Sequence, residues 1–336
     1  MSNADPLLFI GGCPRSGTTL VRNLVAAHPL VAIPGESPFV LNVLRELLAT
    51  GQVVDLERAW QLVRAHHSYR NWGLEPAWVA AEVKNSPPRD YPDLVRSLFA
   101  AFARSRSKEL AADKTPNHAK FFPLLSSLFP DSRMVNVIRD PRAVVMSGSV
   151  QWFTRAGIAL FAVVWRNHVK SARLAAATLG HEKFQEVRYE RLMADSTTEL
   201  ERLCAFGGIP FDPGMISAAP EHAPPERAFS SSRLPIGAVE RRWRDEMSMH
   251  EIAVIESLAG EEIERAGYPL VSNRRARAIA GAEIARFRAA NRVRYRIRDR
   301  WFPALPPLPE RLPAMPDPVT PLSIDDIEPQ QVAQSN

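Results

Sequence analysis

The feature that most constrains this chain is a glycine-rich turn that follows a short apolar segment near the N-terminus. The run reads Leu8-Phe9-Ile10-Gly11-Gly12-Cys13-Pro14-Arg15-Ser16-Gly17-Thr18-Thr19-Leu20. Its apolar half predicts a β-strand, and its last residues predict the start of a helix. In such a turn, backbone N–H groups and the positive end of the helix point at one spot, which favours an anion. The sequence therefore predicts a phosphate-binding loop between the first strand and the first helix.

Spacing within this loop separates it from the loops that bind ATP or GTP. Gly12 and Gly17 are placed as in the pattern G-x-x-x-x-G-K-[ST], but Thr18 stands where that pattern has its lysine. Enzymes that use ATP or GTP need this lysine on the outer phosphates. Its loss, together with Arg15 inside the loop, predicts a nucleotide with a different terminal group.

A second strand-to-helix junction lies within residues 133–147. Residues 133–138 are apolar enough for a strand, and Pro141 suits the first turn of a helix, where its missing N–H costs nothing. Ser147 lies two helical turns beyond Arg139. An arginine can form a forked pair with a phosphate, and a serine can add a hydroxyl donor. The alternative is a surface pair of Arg139 with the aspartate that follows it, beside a serine on a helix face.

Together the two motifs resemble those of sulfotransferases that use 3′-phosphoadenosine 5′-phosphosulfate (PAPS), with the tyrosylprotein-type and bacterial enzymes most similar. In that family a loop of this kind holds the 5′-phosphosulfate, and an arginine and a serine at this spacing hold the 3′-phosphate. The resemblance implies PAPS as co-substrate and no metal. The implied PAPS ligands are Pro14, Arg15, Ser16, Gly17, Thr18, Thr19, Arg139 and Ser147.

Three shorter elements add to the resemblance. The run Asp113-Lys114-Thr115-Pro116 is similar to one in the tyrosylprotein and heparan-type enzymes, whose lysine contacts the bridging oxygen of the phosphosulfate. Lys114 is thus the candidate that stabilises charge on the departing phosphate. The run Val187-Arg188-Tyr189-Glu190-Arg191-Leu192 makes Tyr189 a candidate nucleotide ligand, with a buried core tyrosine as the alternative. The run Arg241-Arg242-Trp243-Arg244 resembles, loosely, a basic segment over the 3′ side of the nucleotide.

Transfer to a hydroxyl also needs a base that accepts its proton. Glu36 lies in a segment similar to the region of tyrosylprotein-type enzymes that supplies a catalytic glutamate, and it is favoured. His118 is the alternative, because cytosolic small-molecule sulfotransferases use a histidine one residue after a Lys-Thr pair. Here it follows Thr115 by three residues, most of a helical turn away. With Lys114 and Arg15, these two residues make up the predicted catalytic group.

Alternation of strands and helices predicts an α/β, P-loop-like fold of three layers, with a central parallel sheet flanked by helices. The best-supported strands lie near 7–11, 133–138 and 184–188. The segment before Lys114 fits either a strand or a helix end. Residues 38–105 are predicted to be largely helical and to cover the acceptor pocket. Further helices are predicted over 17–28, 117–129, 141–150, 155–179, 191–206 and 249–266.

The charge distribution divides the chain into a domain over 1–272, a basic arm over 273–302 and a proline-rich tail over 303–336, predicted to be extended or disordered. Residues 273–300 carry ten arginines and two acidic residues, a balance of +8 in a chain whose net charge is +5. This arm could contact an anionic membrane surface, an acidic partner or a second subunit, or be a solvated arm. Nucleic acid is not an expected partner, because aromatic interleaving is thin.

The sequence also predicts where the protein acts and which reaction it carries out. Two cysteines and no visible signal or spanning segment predict a cytoplasmic enzyme, with peripheral membrane contact through the arm left open. The tyrosylprotein and heparan enzymes that it resembles are, in contrast, Golgi proteins with a membrane anchor. The predicted reaction transfers a sulfuryl group from PAPS to a hydroxyl or amine of a small-molecule, sugar or peptide acceptor. A small-molecule P-loop kinase and a non-catalytic nucleotide-binding regulator are the alternatives.

Overall fold

The computed structural model of the protein describes residues 6–51, 55–149, 157–217, 243–282 and 285. Its centre is one five-stranded sheet in the order β2-β3-β1-β4-β5, in which every neighbouring pair is parallel. The strands are β1 Leu8–Gly12, β2 Val31–Ala32, β3 Leu110–Lys114, β4 Arg133–Ile138 and β5 Phe184–Arg188. The α/β fold with a parallel sheet is thus confirmed. The sheet has two strands more than the three best-supported ones.

Helices cover the two faces of the sheet and connect its strands. Before β3 they are α1 Thr18–Ala26, α2 Phe39–Thr50, α3 Leu56–Ala65, α4 His67–Arg70, α5 Pro76–Asn85 and α6 Tyr91–Ser105. After β3 come a 3₁₀ helix Pro116–Phe121, α7 Phe122–Leu128, α8 Pro141–Ser149, α9 Gly157–Leu179, α10 Tyr189–Ala194, α11 Ser196–Gly207, α12 Gly214–Ser217, α13 Trp243–Glu246 and α14 Met249–Arg265. Residues 38–105 are therefore largely helical in the structure.

Two predicted helices are divided, for local reasons. The helix predicted over 117–129 begins as a 3₁₀ turn and continues as α7. The helix predicted over 191–206 is interrupted at Asp195, whose carboxylate accepts a hydrogen bond from the Thr198 amide at 3.1 Å and caps α11. An aspartate that caps a helix in this way starts a new helix instead of extending the previous one.

Alternation along the strands builds a core on each side of the sheet. Phe9 and Met134 pack on one face with α2, α3, α6 and α7, whereas Ile10 and Val135 pack on the other with α1 and α11. A third cluster, around Trp165, joins α8, α9 and α14. Since neighbouring strand residues point to opposite faces, a sheet buried on both sides needs such apolar runs.

Only part of the C-terminal region lies within the described residues. Residues 274–282 are helical, whereas most of the basic arm and the whole tail over 303–336 fall outside the described part. The division into domain, arm and tail therefore stays a prediction. Within the described ranges, no helix has both the length and the apolar content needed to cross a membrane.

Candidate active site

Residues 13–17 form the loop between β1 and α1, and its backbone requires glycine at both ends. Gly12 has φ of 149°, and a Cβ added there would lie 2.4 Å from the Val137 carbonyl oxygen of β4. Gly17 has φ of 98° and caps α1 without any side-chain hydrogen bond to the first turn. The first N–H groups of α1 are therefore left for an external acceptor, as phosphate binding requires.

Side chains in this loop also fit an anion. Ser16 is fully buried, and its Oγ has no hydrogen-bond partner among the described residues. Thr18 is 4% exposed, while Pro14 and Thr19 are half-buried at the loop and the start of α1. A buried hydroxyl without a partner is unfavourable unless a ligand or water binds it. The loop thus offers a hydroxyl and backbone donors to a phosphate or sulfate group.

Cys13, at the start of the loop, is a packing residue. It is 3% exposed and belongs to the apolar cluster around Trp165. Burial raises the pKa of its thiol to about 12, and the nearby charge of Lys120 opposes this only in part. The thiol is therefore protonated at neutral pH and fills space, as expected for a small side chain inside the loop.

Arg139 and Tyr189 come from the carboxyl ends of β4 and β5 and stack beside the loop. The Arg139 guanidinium lies 4.1 Å from the centroid of the Tyr189 ring. The same ring also packs against the loop, because a Cβ on Gly17 would lie 2.4 Å from Tyr189 Cδ2. The Trp165 indole donates to the Arg139 carbonyl at 2.9 Å, and Arg139 is 3% exposed. The arginine is thus fixed by cation–π and backbone contacts.

Arg15 and Ser147 are brought together although 132 residues separate them in sequence. The Arg15 guanidinium donates to Ser147 Oγ through Nη2 at 3.0 Å and Nε at 3.2 Å. Arg139 Nη1 donates to the Arg15 carbonyl at 3.4 Å. The sequence assigned Arg15 to the phosphosulfate of its own loop, whereas here its side chain reaches across to α8. Arg15, Arg139 and Ser147 therefore form one cationic group beside the loop.

Glu36 and Lys114 meet at the same carboxyl edge of the sheet, on the β2–β3 side of the loop. Lys114 is the last residue of β3, and Glu36 follows the neighbouring β2. Lys114 Nζ donates to Glu36 Oε1 at 2.8 Å, and the side chains are 9% and 34% exposed, respectively. The Trp72 indole donates to the Gly35 carbonyl at 3.0 Å, which anchors the backbone directly before Glu36. The predicted base and the predicted lysine are thus in direct contact.

His118 occupies a different environment from Glu36. Its Nδ1 lies 2.7 Å from Asp113 Oδ2, and the side chain is 2% exposed. The neighbouring ring is Phe9, at a centroid distance of 6.2 Å. Its Nε2 is buried and has no hydrogen-bond partner among the described residues. The histidine therefore belongs to the interior behind the site, whereas Glu36 is partly open to solvent.

A network behind α8 was not found from the sequence. Arg142 is fully buried and donates to both Asp140 oxygens at 2.8–2.9 Å and to Glu256 at 2.8 Å. Its guanidinium also lies 4.2 Å from the ring of Trp243, which is 4% exposed. Arg139 and Asp140 are only 3% and 9% exposed, so they do not form a surface pair. Arg241 and Arg242, which precede this tryptophan, lie outside the described residues.

A second connection runs from the junction after β4 to the end of α14. Glu190 accepts from the Asp140 amide at 2.8 Å and from the Tyr268 hydroxyl at 3.0 Å. The sequence offered no local signal for this contact, since Glu190 resembles any acidic residue at a helix start. These partners fix the junction from which Arg139 projects.

Comparison with known proteins now identifies the family. The profile of the sulfotransferase family matches residues 6–213, more than half of the chain. The chain belongs to the sulfotransferase family. The predictions of the family, of an enzyme and of PAPS as co-substrate are thereby confirmed, and neither the kinase nor the regulator is supported.

Individual relatives of this sulfotransferase are about a quarter identical to it over the residues that align. A putative protein-tyrosine sulfotransferase of Caenorhabditis briggsae is 28% identical over 225 residues, 64% of this chain and 70% of the relative. The nodulation protein NoeE of Sinorhizobium fredii is 28% identical over 293 residues, 77% of this chain and 65% of the relative. The chain spans 52–70% of the length of the first curated relatives.

A solved structure supports the fold. The sulfotransferase domain of the Synechococcus PCC 7002 olefin synthase superposes with a TM-score of 0.55 and 22% identity. The match covers 81% of this chain and 98% of that domain.

The comparisons correct one expectation about this sulfotransferase. The prediction of a cytoplasmic enzyme, with or without contact to a membrane surface, is wrong. Several relatives that match are protein-tyrosine sulfotransferases, the class that the resemblance already associated with the Golgi. The absence of a visible anchor in the sequence was given too much weight.

Across the ranges that the structure describes, no three His, Cys, Asp or Glu side chains are grouped as a metal site requires. The prediction of a metal-independent reaction stays a prediction.

Proposed function

We propose that this sulfotransferase binds PAPS across the carboxyl ends of its five strands and transfers the sulfuryl group to an acceptor hydroxyl. One observation carries the proposal: each strand delivers a candidate residue to the same edge of the sheet. The candidates are the loop residues 13–17 after β1, Glu36 after β2, Lys114 at the end of β3, Arg139 after β4 and Tyr189 after β5. Ligands of open parallel sheets bind at this edge.

The nucleotide would be bound by the loop and the cationic group. Residues 14–19 offer backbone N–H groups and the Ser16, Thr18 and Thr19 hydroxyls to the 5′-phosphosulfate. Arg139 and Ser147 are the ligands proposed for the 3′-phosphate, with the Tyr189 ring holding Arg139 in place. The contact of Arg15 with Ser147 supports a position for Arg15 between the two phosphate sites. Charged hydrogen bonds of this kind are shorter and stronger than neutral ones.

The transfer itself would use the Glu36–Lys114 pair. PAPS supplies the sulfuryl group, and the acceptor oxygen forms the new bond to sulfur while the bond from sulfur to the phosphate oxygen breaks. Glu36 takes the proton of the acceptor hydroxyl, and Lys114 stabilises the negative charge left on the phosphate. The exposure of Glu36, at 34%, supports it over His118, which is 2% exposed and bound to Asp113.

The helices over 38–105 are the proposed cover of the acceptor pocket. They begin directly after Glu36 and end before β3, so both members of the ion pair flank them in sequence. Trp72 from this region bonds the Gly35 carbonyl, next to the proposed base. The names of the relatives make a peptide tyrosine one acceptor to test, beside small phenols and sugars.

The function is tested by incubating the protein with PAPS and an acceptor panel in the presence of EDTA. The panel contains a tyrosine peptide, 4-nitrophenol and simple sugars, and release of 3′-phosphoadenosine 5′-phosphate (PAP) is followed. We expect acceptor-dependent PAP release that Lys114→Ala abolishes. PAP release that no acceptor stimulates, or transfer from ATP with Mg²⁺ in its place, would contradict the proposal.

A further inference from the structure

Asp113 is a fully buried carboxylate that the proposed mechanism does not use. Its Oδ1 accepts from Ser37 Oγ at 2.5 Å and from Thr115 Oγ1 at 2.9 Å. Its Oδ2 lies 2.7 Å from His118 Nδ1. Burying a carboxylate is unfavourable unless its oxygens are hydrogen-bonded, and these three side chains supply partners to both oxygens of Asp113.

These partners flank the ion pair of the site in sequence. Ser37 directly follows Glu36, while Asp113 and Thr115 stand on either side of Lys114. The Ser37 amide donates to Thr115 Oγ1 at 2.8 Å, which joins the two chain segments a second time. The Glu36–Lys114 contact at 2.8 Å therefore lies beside a polar lock formed by Ser37, Asp113 and Thr115.

Side-chain direction excludes Asp113 itself from the reaction. Successive strand residues point to opposite faces, so Asp113 and Lys114 project to opposite sides of β3. Asp113 is level with Phe9 in the neighbouring strand, and it contacts His118, which lies against the Phe9 ring.

We infer that Asp113 is a positioning residue for sulfuryl transfer, acting through Ser37 and Thr115 to hold Glu36 against Lys114. The inference rests on the proposed function, because it takes Glu36 as the base. His118 then belongs to the support of this lock and not to the reaction. Misplacing a reacting group by about 1 Å can cost about 10²-fold in rate.

The test uses Thr115→Val, which removes the hydroxyl of the lock and keeps the side-chain shape. We expect kcat with PAPS and 4-nitrophenol to fall about tenfold to hundredfold, with KM for the acceptor and Kd for PAP within about threefold of wild type. Thr115→Ser keeps the hydroxyl, and we expect it to retain most of the wild-type kcat. Asp113→Asn, which keeps one acceptor oxygen, should lie between the two.

A merely structural role is distinguished by repeating Thr115→Val in the Glu36→Gln background. If the lock acts through Glu36, Thr115→Val should lower the kcat of the Glu36→Gln variant by less than about threefold. The effects of residues that act together are not additive. Equal losses in both backgrounds would overturn the inference, as would wild-type kcat in Thr115→Val or a parallel loss of PAP affinity.

A second readout needs no acceptor. Lysines are labelled by reductive ¹³C-methylation, and the Lys114 signal is identified by its absence in Lys114→Arg. We expect Thr115→Val to move this signal toward its position in Glu36→Gln, whereas Thr115→Ser leaves it in place. An unmoved signal in Thr115→Val would overturn the inference.

Failure of the inference and failure of the proposed function give different results. If Glu36→Gln lowers kcat strongly while Thr115→Val has no effect, only the inference fails. If Glu36→Gln itself has no effect on kcat, the base assignment fails, and the positioning role fails with it.

Discussion

The two halves of the site solve different electrostatic problems. On the base side, formed by Glu36 and Lys114, opposite charges face each other at 2.8 Å. On the 3′ side, formed by Arg15, Arg139 and Ser147, two arginines are gathered around one hydroxyl, and the adjacent Asp140 is bound to Arg142. The proposed function therefore assigns a phosphate to the 3′ side, and a proton and a leaving group to the base side.

The supports behind the two halves differ as well. A short polar lock of Ser37, Asp113 and Thr115 lies behind the base side. Behind the 3′ side, Trp165 and the buried Arg142–Glu256 pair connect the junction after β4 to α9 and α14. The proposed function therefore predicts that rate and nucleotide affinity depend on separate sets of buried residues. Substitutions should therefore affect one property without the other.

The largest expected effect is on the rate, from Glu36→Gln. Loss of a general base should lower kcat by about 10²–10⁴-fold. Because this side does not hold the 3′-phosphate, Kd for PAP should stay within about threefold of wild type. Steady-state kinetics measures kcat, and calorimetry measures Kd for PAP. Glu57→Gln, an exposed glutamate on α3, is the matched control and should change neither. A joint loss of rate and affinity would remove the division between the halves.

The next effect concerns the loop that the two halves share. Gly17→Ala places a Cβ 2.4 Å from Tyr189 Cδ2 at a φ of 98°, so both the loop and the Tyr189–Arg139 stack must shift. We expect PAP affinity to fall by about 10²-fold, the loss typical of a misplaced binding group.

The control for this substitution is Gly180→Ala, where φ is also positive but no atom lies within 4 Å of an added Cβ. That variant should lose about 1–2 kcal/mol of stability from backbone strain alone and keep its PAP affinity. Equal PAP affinities in the two variants would show that the ring contact does not matter.

The smallest expected effect is an acid-dependent loss of stability. His168 lies on α9 one turn after Trp165, and its Nδ1 contacts the Val164 carbonyl at 2.8 Å. Burial lowers the pKa of His168 from 6.5 to about 4, with a smaller contribution from Lys120. The unfolded chain therefore binds a proton below pH 6.5 that the folded protein does not, and stability falls from pH 6.5 to pH 4.

Between pH 7 and pH 5 this residue should account for about 2 kcal/mol of lost unfolding free energy. Denaturant titration of His168→Asn should show a correspondingly weaker pH dependence. The matched control substitution is His181→Asn, at an exposed histidine. An unchanged pH dependence in His168→Asn would show that the support of the 3′ side is not acid-sensitive through this group.

Sequence patterns predicted the strands next to the 3′ side of the site better than the two strands, β2 and β3, that carry the base side. Strands β1 and β4 are largely apolar, so their positions followed from the sequence, and β5 was predicted from a segment that mixes apolar and polar residues. By contrast, β2 has two residues, and β3 ends in Asp113 and Lys114, which become buried only because other segments pair with them. A short strand with buried charges has no local signature.

Long-range contacts limited the prediction of the site in the same way. The contacts of Arg15 with Ser147 and of Arg142 with Glu256 join residues 132 and 114 positions apart. Local motifs and their resemblance to sulfotransferases identified Arg15, Ser147 and Glu36 as candidates, but they could not indicate which of them meet. The Asp113 lock was missed for this reason, since Ser37 is 76 residues away.

The central claim is that the cationic group of Arg15, Arg139 and Ser147 recognises a 3′-phosphate. Calorimetry of PAP and ADP binding, in EDTA, on wild type and Arg139→Ala tests it directly, with the exposed Arg106→Ala as control. The account predicts tight PAP binding, weak ADP binding, and a loss of about 10- to 150-fold for PAP alone in Arg139→Ala. ADP binding as tight as PAP binding, or an unchanged affinity for PAP in Arg139→Ala, would contradict it.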